Sequence, residues 1–254
     1  LTRRATIQKT LLPVLLRYMA EGTAPDRALV TFRRLSEKLG ETHWFLKMLR
    51  DSSGAAERLM VTLSLSSFAC RLLEHIPESS AWFGSVEDLE PYTREELAGE
   101  MAALVDRGGE SAVVAEALKQ IRRREVLRSS IAAVLGETTL AQISQTLSTV
   151  TESYLEAMLN FSMKSTELDI DVAIVAMGRL GGSELGFGSD ADVMLVYSGE
   201  AESLQQPAER LTATLIENVR DPILNFELDL DLRPEGKNGP RIKSFDAYLG
   251  YYEK

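Results

Sequence analysis

The sequence predicts an α+β chain: an all-helical N-terminal bundle followed by a smaller core in which strands and helices alternate. Three observations carry that reading. Helical spacing runs almost unbroken to about residue 160, short β-branched runs begin only after Lys164, and the acidic charge gathers in the last third. The 254 residues are 44% hydrophobic and 26% charged, an ordinary globular composition with length enough for two domains.

Pro25 to Leu39 sets Leu29, Phe32, Leu35 and Leu39 three and four apart, the stripe of an amphipathic helix. Thr93-Arg94-Glu95-Glu96 reads as a capping box that opens a helix through Val105. Ser111 to Leu135 and Thr139 to Phe161 are two long helical segments, the second bearing Leu140, Ile143, Leu147, Val150, Tyr154, Leu155 and Leu159. Breaks are expected at Gly22, Gly40, Gly54, Gly84 and Gly108-Gly109, and no strand before residue 160.

After Lys164 the pattern changes. Asp171 to Met177 and Asp192 to Tyr197 read as strands, and Leu204 to Val219 returns to helical spacing. Phe226 to Leu232 alternates strictly, which predicts a strand with Glu227, Asp229 and Asp231 on one face. The boundary therefore falls at 161–166, giving a helical bundle over 1–163 and a core over 164–254.

Composition excludes several classes. No run approaches the roughly 20 apolar residues of a membrane span, and no signal peptide is present, which predicts a cytoplasmic protein. The single cysteine, Cys70, sits in an apolar run and reads as buried filler; it rules out an internal disulfide or a thiolate metal cluster. Net charge is −10, and residues 161–254 hold 17 Asp and Glu against 9 Lys and Arg, a poor surface for a nucleic-acid backbone. The run Arg122-Arg-Arg-Arg-Glu-Val-Leu-Arg128 reads as a solvated helix face or a docking patch, and His43 and His75 as structural helix residues. The chain opens on Leu1 and ends amid aromatics, so it is expected to be a piece of a longer polypeptide, with the core cut short at its C-terminal end.

The segment that carries chemistry lies between the first two strands. Gly178-Arg-Leu-Gly-Gly-Ser-Glu-Leu-Gly-Phe-Gly188 leads directly into Ser189-Asp-Ala-Asp192. Glycine lets backbone N–H groups approach an anion, so a phosphate site is one reading, although neither a Walker loop nor the dinucleotide fingerprint is present. Asp190 and Asp192 share a face and suit a hard divalent cation, with a third carboxylate expected from the 226–232 strand. An acid-rich strand-entry turn without a metal is the plainer alternative.

These residues resemble a known family. Gly178 to Leu185, Ser189-Asp-Ala-Asp192, and Leu228-Asp-Leu-Asp-Leu-Arg-Pro234 with Gly236-Lys237 are similar to the bacterial glutamine synthetase adenylyltransferases, within the DNA polymerase β-like nucleotidyltransferases. Arg3-Arg4-Ala5 and Thr31-Phe-Arg-Arg-Leu-Ser36 extend the likeness to the helical region of actinobacterial members. The resemblance implies a polymerase β-like core, with Asp190, Asp192 and Asp229 as a metal triad for two Mg²⁺ ions, Mn²⁺ being the alternative, and ATP as substrate. Asp231 stands in phase with Asp229 and competes for the third place. Gly181, Gly182 and Ser183 would line the triphosphate; Arg233 and Lys237 would be phosphate or fold-supporting cations, a salt bridge to a strand carboxylate being the other role for Arg233.

Members of the family carry two opposing catalytic halves. One transfers AMP from ATP to a tyrosine hydroxyl of glutamine synthetase and releases pyrophosphate; the other removes it by phosphorolysis. The wording of Gly181 to Asp192 is closer to the adenylylating half. Glutamine synthetase is the implied protein substrate and a PII-type signalling protein a further partner. Three rivals remain: a catalytically weak binding module, a nucleotidyltransferase acting on nucleic acid, which the acidic core disfavours, and a helical repeat protein, in which the glycine loop has no place.

Overall fold

The computed structural model describes residues 3–166, 170–199 and 204–253. Among the described residues eight α-helices precede the first strand: α1 (Arg3–Ala20), α2 (Pro25–Lys38), α3 (Phe45–Asp51), α4 (Ser53–Leu65), α5 (Ser67–His75), α6 (Arg94–Arg107), α7 (Ser111–Leu135) and α8 (Leu140–Thr166). Then come β1 (Val172–Ala176), the one-turn helix α9 (Gly178–Gly181), β2 (Ala191–Tyr197), α10 (Gln205–Val219), β3 (Leu228–Asp229), β4 (Ile242–Ser244) and α11 (Phe245–Tyr252). This is the α+β order expected, with no strand before Val172 among the described residues.

Local signals account for the helix starts. Ser52 and Ser66 accept the backbone N–H groups of Ala55 and Ala69, and Thr93 with Glu96 closes the capping box foreseen for α6. Gly54 is not a break: it lies in the first turn of α4, and Ser52 makes the interruption.

Contacts divide the chain into two compact units that do not follow the switch from helix to strand. One comprises 1–91 and 124–143, the other 92–123 and 144–254. In the first, Leu15, Met19, Leu35, Phe45, Leu59, Leu63, Leu73 and Phe83 are buried together with Cys70. Arg128 is also buried there, bonded to Glu125 at 3.0 Å and lying 4.2 Å above the Trp82 ring.

The second unit is built on the sheet. β1 runs antiparallel to β2 with Val172↔Tyr197 through Ala176↔Val193 in register. On the opposite edge β2 pairs in parallel with β3 at Ala191↔Leu228 and Asp192↔Asp229, and with β4 from Leu195↔Ile242 to Tyr197↔Ser244. Ala191, Val193, Leu195 and Tyr197 form the buried face of β2, while Asp192, Met194 and Val196 are half-buried on the other. Gln205 ties α10 to the sheet by bonds to Tyr197 Oη and the Ile242 carbonyl, and Tyr248 ties α11 to the Leu195 carbonyl.

The helices of this unit converge on a short turn at 221–226. Asp221 and Phe226 exchange both backbone hydrogen bonds, at 2.9 and 3.0 Å, with Asn225 in the left-handed region at φ 52°. From α7, Arg123 forks onto both oxygens of Asp221 at 2.8 and 2.7 Å, and Arg122 stands 3.6 Å above the Phe226 ring. From α8, Tyr154 donates its hydroxyl to the Val219 carbonyl at 2.9 Å. The arginine run is therefore neither a solvated face nor a docking patch: Arg122, Arg123 and Arg128 are all buried. Burial pushes the Arg122 guanidinium down to about 10, with the Tyr154 and Asp221 charges opposing the shift.

Candidate active site

The acidic residues meet where β2 begins. Asp190 is exposed just before the strand, Asp192 is half-buried within it, and Asp229 is its register partner on β3. Burial pushes the Asp192 carboxyl above its usual range, the charges of Asp190 and Asp229 push it further, and Arg179 opposes them. Among the described residues no three His, Cys, Asp or Glu side chains form a ready-made metal cage. The donors are carboxylate oxygens, the kind a hard divalent cation takes, and the charges of Asp190 and Asp229 bear on Asp192.

The predicted strand over 226–232 is corrected. Only Leu228 and Asp229 pair with β2, because the chain turns immediately: Asp229 Oδ1 accepts the Asp231 N–H at 2.7 Å and Pro234 follows. Asp231 therefore leaves the face it was expected to share. Its carboxylate pairs with Lys237 at 3.1 Å and lies 3.8 Å from Arg233. Asp229, not Asp231, stands opposite Asp192.

Glycine is required at two points of the loop. Gly178 has φ 49°, and a Cβ there would lie 2.3 Å from Asp192 Oδ2; at Gly181 it would lie 2.7 Å from the Ala176 carbonyl oxygen. Gly178 is thus the residue that lets the Asp192 carboxylate lie against the turn. The sequence signal for this role is a glycine at the end of a β-branched run, directly before the turn.

The loop does not present the row of free amides expected of a phosphate cradle. Gly181, Gly182, Ser183 and Glu184 donate their N–H groups to Met177, Gly178, Leu180 and Arg179 carbonyls. What the turn offers instead is the half-buried side chain of Ser183, in the left-handed region at φ 55°. Leu180 and Leu185 anchor it from beneath, and Ser148 of α8 accepts the Leu185 N–H.

Arg233 and Lys237 have separated roles. Arg233 is buried, and its guanidinium is spent on the Leu230 and Gly239 carbonyls, so it supports the loop. Lys237 is exposed beside Asp231. Of the histidines, His43 lies in a turn rather than the helix expected, and His75 bonds the Arg71 carbonyl. Sequence reasoning missed Asp221 and Arg123, which hold the turn before β3; they lie 98 positions apart, beyond any local pattern.

Fold and site together describe a helical protein with a nucleotidyltransferase-like core. Residues 56–254 match the family model for glutamate-ammonia ligase adenylyltransferase, and the chain belongs to that family. It is 46% identical over 258 residues to the bifunctional glutamine synthetase adenylyltransferase/adenylyl-removing enzyme of Leifsonia xyli, with all of this chain and 26% of that protein covered. The proteins of the same name from Cutibacterium acnes and Streptomyces avermitilis are 37% and 36% identical, again over the whole chain and over 26% and 28% of their own length. The chain thus spans about a quarter of the relatives it matches.

Proposed function

We propose that this chain carries one nucleotidyl-transfer centre, which moves AMP from ATP to a tyrosine hydroxyl of glutamine synthetase and releases pyrophosphate. The observation that carries the reading is Asp192 set against Asp229 across parallel strands, with Asp190 just upstream and the glycine turn against Asp192. The relatives' names support glutamine synthetase as the protein substrate, and the wording of Gly181 to Asp192 supports the adenylylating direction.

In this reading Asp190, Asp192 and Asp229 would hold two divalent cations, Mg²⁺ or Mn²⁺, both suited to carboxylate oxygens. Bound there, such ions would neutralise charge on the attacking and leaving oxygens of an in-line displacement at phosphorus. The chain's own task is placement. Ser183 offers its hydroxyl to the triphosphate at the turn formed with Gly181 and Gly182, and Lys237 supplies the nearby exposed cation. As the tyrosine oxygen bonds to the α-phosphorus, the bond to the pyrophosphate bridging oxygen breaks. The phenolic proton passes to the remaining oxygen of Asp229, whose Oδ1 is engaged by the Asp231 N–H. The reaction belongs to the cytoplasm, with a PII-type protein as regulatory partner; the buried Arg122, Arg123 and Arg128 do not supply its docking surface.

The test is incubation of the chain with unadenylylated glutamine synthetase, α-labelled ATP and Mg²⁺, beside an Asp190→Asn/Asp192→Asn variant. Label is expected on the synthetase, falling at least about 100-fold in the variant. ADP released instead from adenylylated synthetase and phosphate would reverse the direction, and silence in both assays would overturn the reading.

A further inference from the structure

Strand β3 is two residues long. A ladder that short cannot define its own register, and a slip of one residue would carry Asp229 to the opposite face, away from Asp192. Something outside the strand must fix its position. The nearest candidate is the 221–226 turn, whose last residue, Phe226, lies three residues before Asp229, about 10 Å of extended chain.

That turn is held by side chains from another part of the unit. Asp221 is 1% exposed, and both its oxygens are taken by the Arg123 fork, with Oδ1 also accepting the Ile223 N–H at 3.0 Å. Arg123 is anchored in turn by Glu116 at 2.5 Å. The Phe226 ring lies beneath the Arg122 guanidinium and meets Tyr154 edge-on at 6.2 Å. Immediately after it, the Glu227 carbonyl accepts the Ala191 N–H, and the paired positions 228 and 229 follow.

A buried ion pair is a poor way to gain stability, because desolvation consumes most of the attraction; its best-attested use is to specify register. Arg122 repeats the point, for its Nε and one terminal nitrogen are buried without a hydrogen-bond partner while its plane covers Phe226. Two buried guanidinium groups at one six-residue turn are hard to explain by stability alone.

We infer that Arg123, acting through Asp221 and Phe226, is a positioning residue that sets Asp229 opposite Asp192 and so assembles the carboxylate site. The inference rests on the reading that these carboxylates hold divalent cations.

It is tested on the 254-residue chain without recourse to catalysis, by titrating Mn²⁺ and counting the free ion by electron paramagnetic resonance. Arg123→Lys keeps the charge and loses the fork. Phe226→Leu disturbs the same link more gently by removing the ring beneath Arg122. Arg128→Lys, at the buried pair with Glu125, controls for general loosening. Thermal melts confirm that each variant is folded at the titration temperature. The expected result is Mn²⁺ binding at least tenfold weaker in Arg123→Lys and Phe226→Leu, close to the level of Asp229→Asn, with Arg128→Lys unchanged.

Native binding by folded Arg123→Lys, while Asp192→Asn and Asp229→Asn lose it, would overturn the positioning role and leave the metal site standing. Equal loss in Arg128→Lys would overturn it as well. If the two aspartate variants bind as the native chain does, the metal reading itself fails and the inference falls with it.

Discussion

Of the three ladders on strand β2, those with β1 and β3 are built differently. The antiparallel ladder with β1 pairs five consecutive residues, from Val172 to Ala176, and holds itself together by ordinary sheet hydrogen bonds. The parallel ladder with β3 pairs only two, and its placement depends on a buried turn fastened from α7 and α8. The candidate carboxylates Asp192 and Asp229 sit on the shorter ladder. A strand positioned from outside can be set to the geometry of a site rather than to its own pairing preference.

Removing the outside support should separate the two ladders most sharply. Asp221→Ala leaves the Arg123 guanidinium buried without its main partner, and loss of one member of a buried pair costs about 3–5 kcal/mol. Val175→Thr, on the half-exposed β1 edge, should stay within about 0.5 kcal/mol. Urea unfolding of both variants checks the contrast; similar losses would mean that the β3 ladder does not depend on the turn as argued.

The next effect lies where β1 hands over to the glycine turn. Gly178→Ala places a side chain at φ 49°, a conformation costing roughly 1–2 kcal/mol, and drives its Cβ into the Asp192 carboxylate. The variant should melt a few degrees lower, roughly 2–8 °C for a chain of this size, and transfer AMP more weakly in the labelling assay than that loss of folded protein explains. Gly182→Ala has space, its nearest neighbour being 3.6 Å away, and should leave the melting temperature unchanged.

What the sequence made legible, and what it did not, follows the same division. Local signals read true: α7 begins and ends at Ser111 and Leu135 as the periodicity predicted, and the Thr93 capping box is formed. The glycine string and the Asp190-Ala-Asp192 triplet were legible too, because each is compact in sequence. Alternation over 226–232 misled, since period-2 spacing also fits a chain that turns after Asp229 and leaves Leu232 half exposed. Leu29 and Leu140 likewise matched helical stripes yet remain exposed, so spacing found the helices but not every buried position. The arginine run was misread for a different reason: whether an arginine can be buried depends on a partner, and the partner of Arg123 is 98 residues away.

The smallest effect expected is also the one that tests whether the carboxylates truly crowd one another. Asp192 has a folded-state pKa raised above its ordinary 3.8, by burial first and then by Asp190 and Asp229, so its charge opposes folding when no cation is bound. For an acid shifted upward, the penalty is fully present above the folded pKa and disappears as pH falls through that value toward the unfolded one. Asp192→Asn should therefore melt slightly higher than the native chain at pH 7 in a chelator, while losing transfer activity. The advantage should shrink on acidification and vanish only well below pH 3.8, where the carboxyl is protonated in both the folded and the unfolded state. Added Mg²⁺ should reverse the order at neutral pH by stabilising only the native chain. A pH-independent difference would locate the effect in packing rather than charge, and the short ladder would then lack the electrostatic tension that a divalent cation relieves.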